Sequence, residues 1–383
     1  MTTRRAILMT GGAGVCVIGA GLGCLLHSNL KTARAPWREA GTGFGDARLD
    51  ALSWAVLAPN PHNRQPWLVR LDDDGGLTLF CDPDRLLRET DPFDRQIVIG
   101  LGAFLEILRI AAAEQGYRLD AQLFPEGAGE PLLDGRPVAA IKFIPDTEQV
   151  KDPLFAAIPG RRTSRAPFDQ KKPVTADALN ALDAVLRPGD GEFEWVNDAG
   201  NLAALKDLCR RAWLVEMETP RALHESTVLT RIGEKEVNAN PDGISLYGPM
   251  MEAARFAGML TREAMDDPAS KAWQATLDFY NGNIDSAMAF GWLATGGNSR
   301  EDQISAGAGW VRLQLAAAAT GLSMQPFSQA LQEYPEMAEL YEEIHDFTGV
   351  RKPAIVQGLF RFGYGPKAGP APRWPLKTRL IED

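Results

Sequence analysis

The sequence predicts an α+β fold made of two similar halves, and three observations predict it. First, a helical segment recurs. Residues 99–116 (IGLGAFLEILRIAAAEQG) align without gaps with residues 304–321 (ISAGAGWVRLQLAAAATG), at a constant offset of 205 from Ile99 to Ile304. Both copies carry apolar residues at helical spacing and end on a glycine that can stop a helix. Two unrelated alanine-rich helices could look alike, but matching glycines at both ends favour duplication. Second, each copy is followed by a strand-like run opened by proline, at 137–144 and 353–360. Third, the runs 67–71 and 77–81 flank Asp73-Asp74-Gly75-Gly76 and read as a hairpin.

The halves divide near Lys151, giving a first half over 46–150 and a second over 151–375. Residues 213–297 have no counterpart in the first half and read as an insertion, a lid or cap, with Asn238-Ala-Asn-Pro-Asp-Gly243 as a loop inside it.

The first 35 residues read as an address. Arg4 and Arg5 precede an uncharged run from Ala6 to Leu26, and Ala33-Arg34-Ala35 offers small residues to a signal peptidase. Twin arginines point to the Tat route, which implies transient contact with the export machinery and a periplasmic or cell-envelope location. An uncleaved segment would leave a membrane anchor. Residues 17–23 (VIGAGLG) offer a rival reading as a dinucleotide-binding turn, but the third fingerprint glycine is missing. Cleavage after Ala35 would remove Arg4, Arg5, Lys31 and Arg34, taking the net charge from -10 to -14 and leaving Cys81 and Cys209.

Composition narrows the function. The chain has 383 residues, 45% hydrophobic and 23% charged, which is globular. Its net charge of -10 disfavours nucleic acid and anionic lipid as partners. No cysteines have CxxC spacing, no HExxH occurs, and His27, His62, His224 and His345 are scattered, so no metal site is expected. No catalytic nucleophile is expected either, since GxSxG is absent.

Three segments carry candidate chemistry. Leu57-Ala-Pro-Asn-Pro-His-Asn-Arg-Gln-Pro-Trp67 combines turn formers and amides before a strand. Ile158-Pro-Gly-Arg-Arg-Thr-Ser-Arg-Ala-Pro-Phe168 sets three arginines and two hydroxyls within five residues. Guanidinium forks suit phosphate oxygens, although a solvated basic turn has the same composition. Gly321-Leu-Ser-Met-Gln-Pro-Phe-Ser-Gln329 leaves the second copy of the repeated helix.

Together these segments resemble the nitroreductase-like flavoproteins, with their APSxxNxQPW element, RRSxR turn and small-residue helix ending in GL. Doubled length and a Tat-type start look like the single-chain, FMN-binding Acg-type branch. The resemblance implies a nitroreductase-like fold, central β-sheets flanked by helices in an internal pseudo-dimer, and hence a monomer. It implies FMN, with Arg161, Thr163 and Arg165 at the phosphate side and Arg373 assisting. Pro59, Asn60, Pro61 and Asn63 would cross over from the first half, and Phe327, Ser328 and Gln329 would lie near flavin N5. Only one complementary pair of motifs is present, so one FMN per chain is expected. Asn60-Pro61 and Ser328-Gln329 depart from the family pattern, and these departures bear on turnover more than on flavin binding.

The resemblance implies an FMN-dependent oxidoreductase that takes hydride from a small-molecule donor and passes it to a flat acceptor, a nitroaromatic or quinone. Two alternatives stand beside it: a non-catalytic protein that holds flavin beneath the insertion, and a structural module without cofactor.

Overall fold

The structure is a computed structural model and describes residues 29–382. The arginine pair, the glycine-rich run at 17–23, Cys16, Cys24 and His27 lie outside the described residues.

The first half contains α1 (Pro36–Glu39), α2 (Ala47–Ala55), β1 (Trp67–Leu71), β2 (Leu77–Cys81), α3 (Arg95–Glu114), β3 (Tyr117–Leu123) and β4 (Ala139–Pro145). The second begins with a 3₁₀ segment, Pro153–Gly160, then α4 (Ala176–Asp183) and β5 (Glu192–Val196). A largely helical stretch follows: α5 (Ala199–Glu218), α6 (Pro220–Val228), β6 (Thr230–Ile232), α7 (Gly233–Ala239), β7 (Ile244–Leu246), α8 (Pro249–Phe256), α9 (Arg262–Asp266) and α10 (Lys271–Asp285). The chain closes with β8 (Ala289–Thr295), α11 (Arg300–Ala319), β9 (Ser323–Pro326), α12 (Ala338–Thr348), β10 (Ile355–Gly363) and β11 (Leu380–Ile381).

Sheet topology repeats as the helix does. The first sheet runs β11-β1-β2-β4-β3 and the second β5-β8-β10-β9. Without β11, both have the order first-second-fourth-third, with every neighbour antiparallel. The expected hairpin pairs Trp67 with Cys81 and Leu71 with Leu77. In the second half the matching strands, β5 and β8, are separated by the helical stretch instead of a tight turn.

The insertion therefore lies between Val196 and Ala289, not over 213–297. Strand β8 is buried at every residue, so its sequence shows no alternation to betray it as a strand. Strand β11 is two residues long, too short for a periodic signal in the sequence. It adds to β1 in parallel, Val69 opposite Leu380, and so joins second-half sequence to the first-half sheet.

The repeated helices α3 and α11 cross at the centre, where the contact is reciprocal. A Cβ on Gly102 would fall 2.1 Å from the Ile304 carbonyl oxygen, and one on Gly307 2.1 Å from that of Ile99. Gly102 and Gly307 are aligned residues, as are Ile99 and Ile304, so each copy uses one patch against the same patch of the other. That is the signature of a two-fold interface, here folded into one chain. Two buried arginines at the helix starts extend the symmetry. Arg95 donates to Leu331 O and pairs with Glu333 at 2.9 Å, and Arg300 donates to Gly129, Phe93 and Pro131 carbonyls. Each reaches a loop of the opposite half. Ser299 and Asp302 start α11 with a capping box. Cys81 and Cys209 are buried free thiols.

Candidate cofactor site

The asparagine loop is strained and over-determined. His62, Asn63 and Gln65 have φ of 45°, 52° and 54°, a region non-glycine residues occupy at a cost of about 1–3 kcal/mol each. Side-chain amides hold the shape. Asn60 Oδ1 accepts from Gln65 N at 2.7 Å, and Asn60 Nδ2 donates to Ala58 O. Asn63 Nδ2 donates to Pro372 O at 3.1 Å, and Gln65 Oε1 accepts from Trp374 N at 2.8 Å. Asn60 thus braces the loop's own backbone, and Asn63 ties the loop to the C-terminal tail. Gln65 also donates to Pro241 O, and Asp242 pairs with Arg85 at 2.9 Å, so the insertion clamps the loop from outside. Pro61 and Asn60 sit on Gly100 of α3, where a Cβ would come within 3.0 Å of Asn60 Cβ.

The arginine turn meets this loop directly. Arg161, 2% exposed, donates Nη2 to Leu57 O at 2.8 Å and Nη1 to Gln314 Oε1 at 2.9 Å. Arg373, also 2% exposed, donates Nη2 to Ala58 O at 2.9 Å and Nη1 to Asn63 Oδ1. Gln314 Nε2 donates to Thr163 Oγ1 at 3.1 Å. Sequence positions from both halves and from the tail therefore converge on the carbonyls of Leu57 and Ala58.

The electrostatics of this corner are unusual. Among the described residues no carboxylate bonds Arg161, Arg162 or Arg373. Burial, then the neighbouring Arg162, pushes Arg161 down to about 9. Burial, then Arg161 and Arg162, holds Arg373 well below the ordinary arginine range. Arg162 is lowered by burial and by Arg34. The Nε atoms of Arg161 and Arg373 and the Ser164 hydroxyl are buried without partners. Buried cations without a counter-charge cost several kcal/mol each. In a chain of net charge -10, such a cluster has the chemistry to hold an anion. A phosphate monoester fits, offering up to two charges and acceptor oxygens to the idle N–H groups.

Arg165 is exposed at the turn's end, and its charge reaches the asparagine loop. Burial first, then Arg165, pushes the His62 imidazole down to about 4. His62 Nδ1 is buried without a partner. Pro59 is half-buried beside the cluster.

The third segment joins the site through Arg361 of β10. This wholly buried guanidinium donates to Ala166 O at 2.8 Å and to Gln325 Oε1, and lies 3.8 Å from the Phe168 ring centroid and 5.6 Å from that of Phe327. Phe327 is buried and meets Tyr280 of the insertion edge-on. The Ser328 hydroxyl both donates to and accepts from the Leu359 backbone. Gln329 Oε1 is buried without a partner. An open cleft of about 380 Å³, lined by Pro167, Phe168, Asp169, Tyr364, Gly365 and Pro366, lies past the end of the turn and shares no lining residue with the arginine cluster.

Sequence reasoning gave no site role to Arg34, Trp37, His62, Gln314 or Arg361, although His62, Arg34 and Gln314 lay in segments already singled out. Gln314 bonds both Arg161 and Thr163 from a helix that abuts the turn, whereas its counterpart in the repeat, Arg109, pairs with Glu106 and Asp152, so the repeat gives no signal for it.

No family profile matches the chain. It is 36% identical over 129 residues to Rv3131 of Mycobacterium tuberculosis, provisionally named an NAD(P)H nitroreductase, covering 33% of this chain and 36% of that protein. It is 38% identical over 125 residues to acg of the same organism, again provisionally named an NAD(P)H nitroreductase, covering 32% of this chain and 36% of that one. The matched stretch thus spans little more than a third of the length of these curated relatives. Among solved structures, it is similar to the FMN-dependent nitroreductase NfnB of Mycobacterium smegmatis, with a TM-score of 0.36 and 17% identity, over 59% of this chain and 96% of that one.

Proposed function

We propose that this chain is an exported, FMN-dependent oxidoreductase of the nitroreductase type that holds one FMN per polypeptide. One observation carries the reading: Arg161 and Arg373, buried and, among the described residues, bonded to no carboxylate, close on the Leu57 and Ala58 carbonyls at the start of the asparagine loop. The names of the mycobacterial relatives support the same class of activity.

In this reading Arg161, Arg162, Arg373 and Thr163 hold the phosphate, and the braced asparagine loop and His62 border the flavin. His62 stays neutral well below pH 7, so it supplies a hydrogen bond and adds no charge. Arg165 would face the flavin N1 and O2, where a cation favours the reduced, anionic flavin. The bound flavin would supply hydride chemistry at N5. Reduced nicotinamide is the proposed donor and a flat nitroaromatic or quinone the acceptor. The internal two-fold makes a monomer the proposed functional unit, and the arginine pair at 4–5 makes Tat the proposed route out of the cytoplasm.

A second reading, a flavin holder without turnover, is favoured by one observation. Phe327 is buried under Tyr280 of the insertion, and the Ser328 hydroxyl is spent on the Leu359 backbone. The visible spectrum of the purified protein, with the released flavin identified and counted, tests the core reading. One FMN per chain is expected, and colourless protein that ignores added FMN would overturn it. Steady-state oxidation of NADH or NADPH with a nitroaromatic or quinone acceptor separates enzyme from holder.

A further inference from the structure

The segment just before α2 was read from sequence as the exit of a signal. In the structure it is bound into the anion site. Leu30 and Ala33 are buried against Val237 and Tyr247 of the insertion. Ala33 N donates to Asn238 Oδ1 at 3.1 Å, and Ala33 O accepts from Arg373 N at 2.8 Å. Arg34 donates to Pro370 O at 2.9 Å and to the Tyr247 hydroxyl at 2.7 Å. Trp37 Nε1 donates to Ala371 O at 2.7 Å. The Trp37 ring then lies against the whole arginine cluster: its centroid is 4.6 Å from Arg162 Cζ, 5.6 Å from Arg161 Cζ and 5.8 Å from Arg373 Cζ.

We propose that residues 29–39 are a strap that completes the phosphate site, with Arg34 as a fourth cation and Trp37 as the wall that shields the guanidiniums from water, and that the strap stays in the mature protein. The anchoring is physical. The Arg373 backbone N–H that fixes the tail ends on Ala33 O, so loss of the strap loosens Arg373 as well as uncovering it. An aromatic wall holds guanidiniums flat by cation–π contact and lowers the local dielectric, which strengthens any phosphate contact.

The strap also bears on processing. Tat substrates are exported folded, so a signal peptidase meets the folded chain. Proteases favour exposed, mobile loop tips. Residues 33–35 instead form hydrogen-bonded turns, Arg34 N to Leu30 O and Ala35 N to Thr32 O, with Ala33 buried. A cut after Ala35 would sever a buried, hydrogen-bonded segment, so cleavage is expected on the N-terminal side of Leu30.

The proposal deepens the FMN reading and rests on it in part, so its test separates the two. The full-length protein, Trp37→Ala and Arg34→Ala are titrated with FMN and, in parallel, with riboflavin, which lacks the phosphate. Each variant should bind FMN about tenfold more weakly while riboflavin affinity is unchanged. FMN affinity equal to wild type in both variants would overturn the strap. If the wild type binds no flavin, the FMN reading fails, and the strap is tested with inorganic phosphate alone. Phosphate should then raise the melting temperature of the wild type more than that of Arg34→Ala; equal shifts would sink it. The intact mass of the protein recovered after export gives the second arm. A chain starting at or before Asn29 is expected, and one starting at Pro36 with full FMN affinity refutes the proposal.

Discussion

Arg161→Met should separate binding from stability. Lowering the guanidinium from an ordinary 12.5 to about 9 corresponds to a burial penalty of roughly 5 kcal/mol in the charged form. Methionine of similar length removes that penalty. It also removes two charged hydrogen bonds, to Leu57 O and Gln314 Oε1, worth about 1.5–3 kcal/mol each. The terms nearly cancel, so the flavin-free variant should match wild type within about 2 kcal/mol. Affinity for FMN should behave differently. Loss of one buried, charge-assisted phosphate contact costs about 3 kcal/mol, roughly a hundredfold in Kd. Arg95→Met is the contrast. It strands the half-buried Glu333 and leaves the Leu331 and Gln357 acceptors unpaired, and should cost about 3 kcal/mol of stability. The assay is urea denaturation of flavin-free protein beside fluorescence titration with FMN. If Arg161→Met unfolds as readily as Arg95→Met, or keeps wild-type affinity, the arginine turn is scaffolding and the anion-site argument is wrong.

Three further outcomes follow from the same structure. Gly102→Ala should lower the urea midpoint by an amount equivalent to about 3 kcal/mol, since its methyl would meet the Ile304 carbonyl at 2.1 Å and backbone cannot give way as a side chain does. His62 has its pKa lowered from 6.5 to about 4, so the unfolded chain binds the extra proton first and stability falls as pH drops from 6.5 to 4; His62→Gln should flatten that slope in pH-dependent denaturation. Glu216, raised to about 7 chiefly by burial, acts in the opposite sense, because the folded chain holds the proton and stability falls as pH rises from 4.5 through 7. Glu216→Gln should therefore gain about 3 kcal/mol at pH 8 and little at pH 4, measured by the same titration.

What the sequence could reveal depended on periodicity and on local motifs. The repeat was legible because helices α3 and α11 keep glycines at matched positions, and those glycines turn out to touch. The hairpin of β1 and β2 was legible because Asp73–Gly76 is a turn with turn chemistry. Strand β8 was not, because burial on both faces erases alternation. The arginine turn announced an anion site by composition alone. The bracing of its counterpart was not legible: three left-handed residues, His62, Asn63 and Gln65, are held by Asn60 within the loop and by Asn63 and Gln65 against the tail, and such contacts leave no trace in the sequence. Trp37 and Arg34 were hidden by context, since a basic, small-residue stretch behind an apolar run has the composition of a signal exit whether or not it folds back.

Strand β11 carries a consequence for how the molecule assembles. Residues 380–381 finish the edge of a sheet whose other strands all come from the first half, and Arg373 reaches Asn63 across 310 positions. A cut at residue 151 would yield a front piece with a raw sheet border and a back piece with a dangling arm. Neither could bring Arg373 onto the Leu57 and Ala58 carbonyls. Closure entropy must be spent on this long-range join before the corner rewards it, so the molecule should acquire its ligand-ready shape late and all at once, as one cooperative body despite its twofold ancestry.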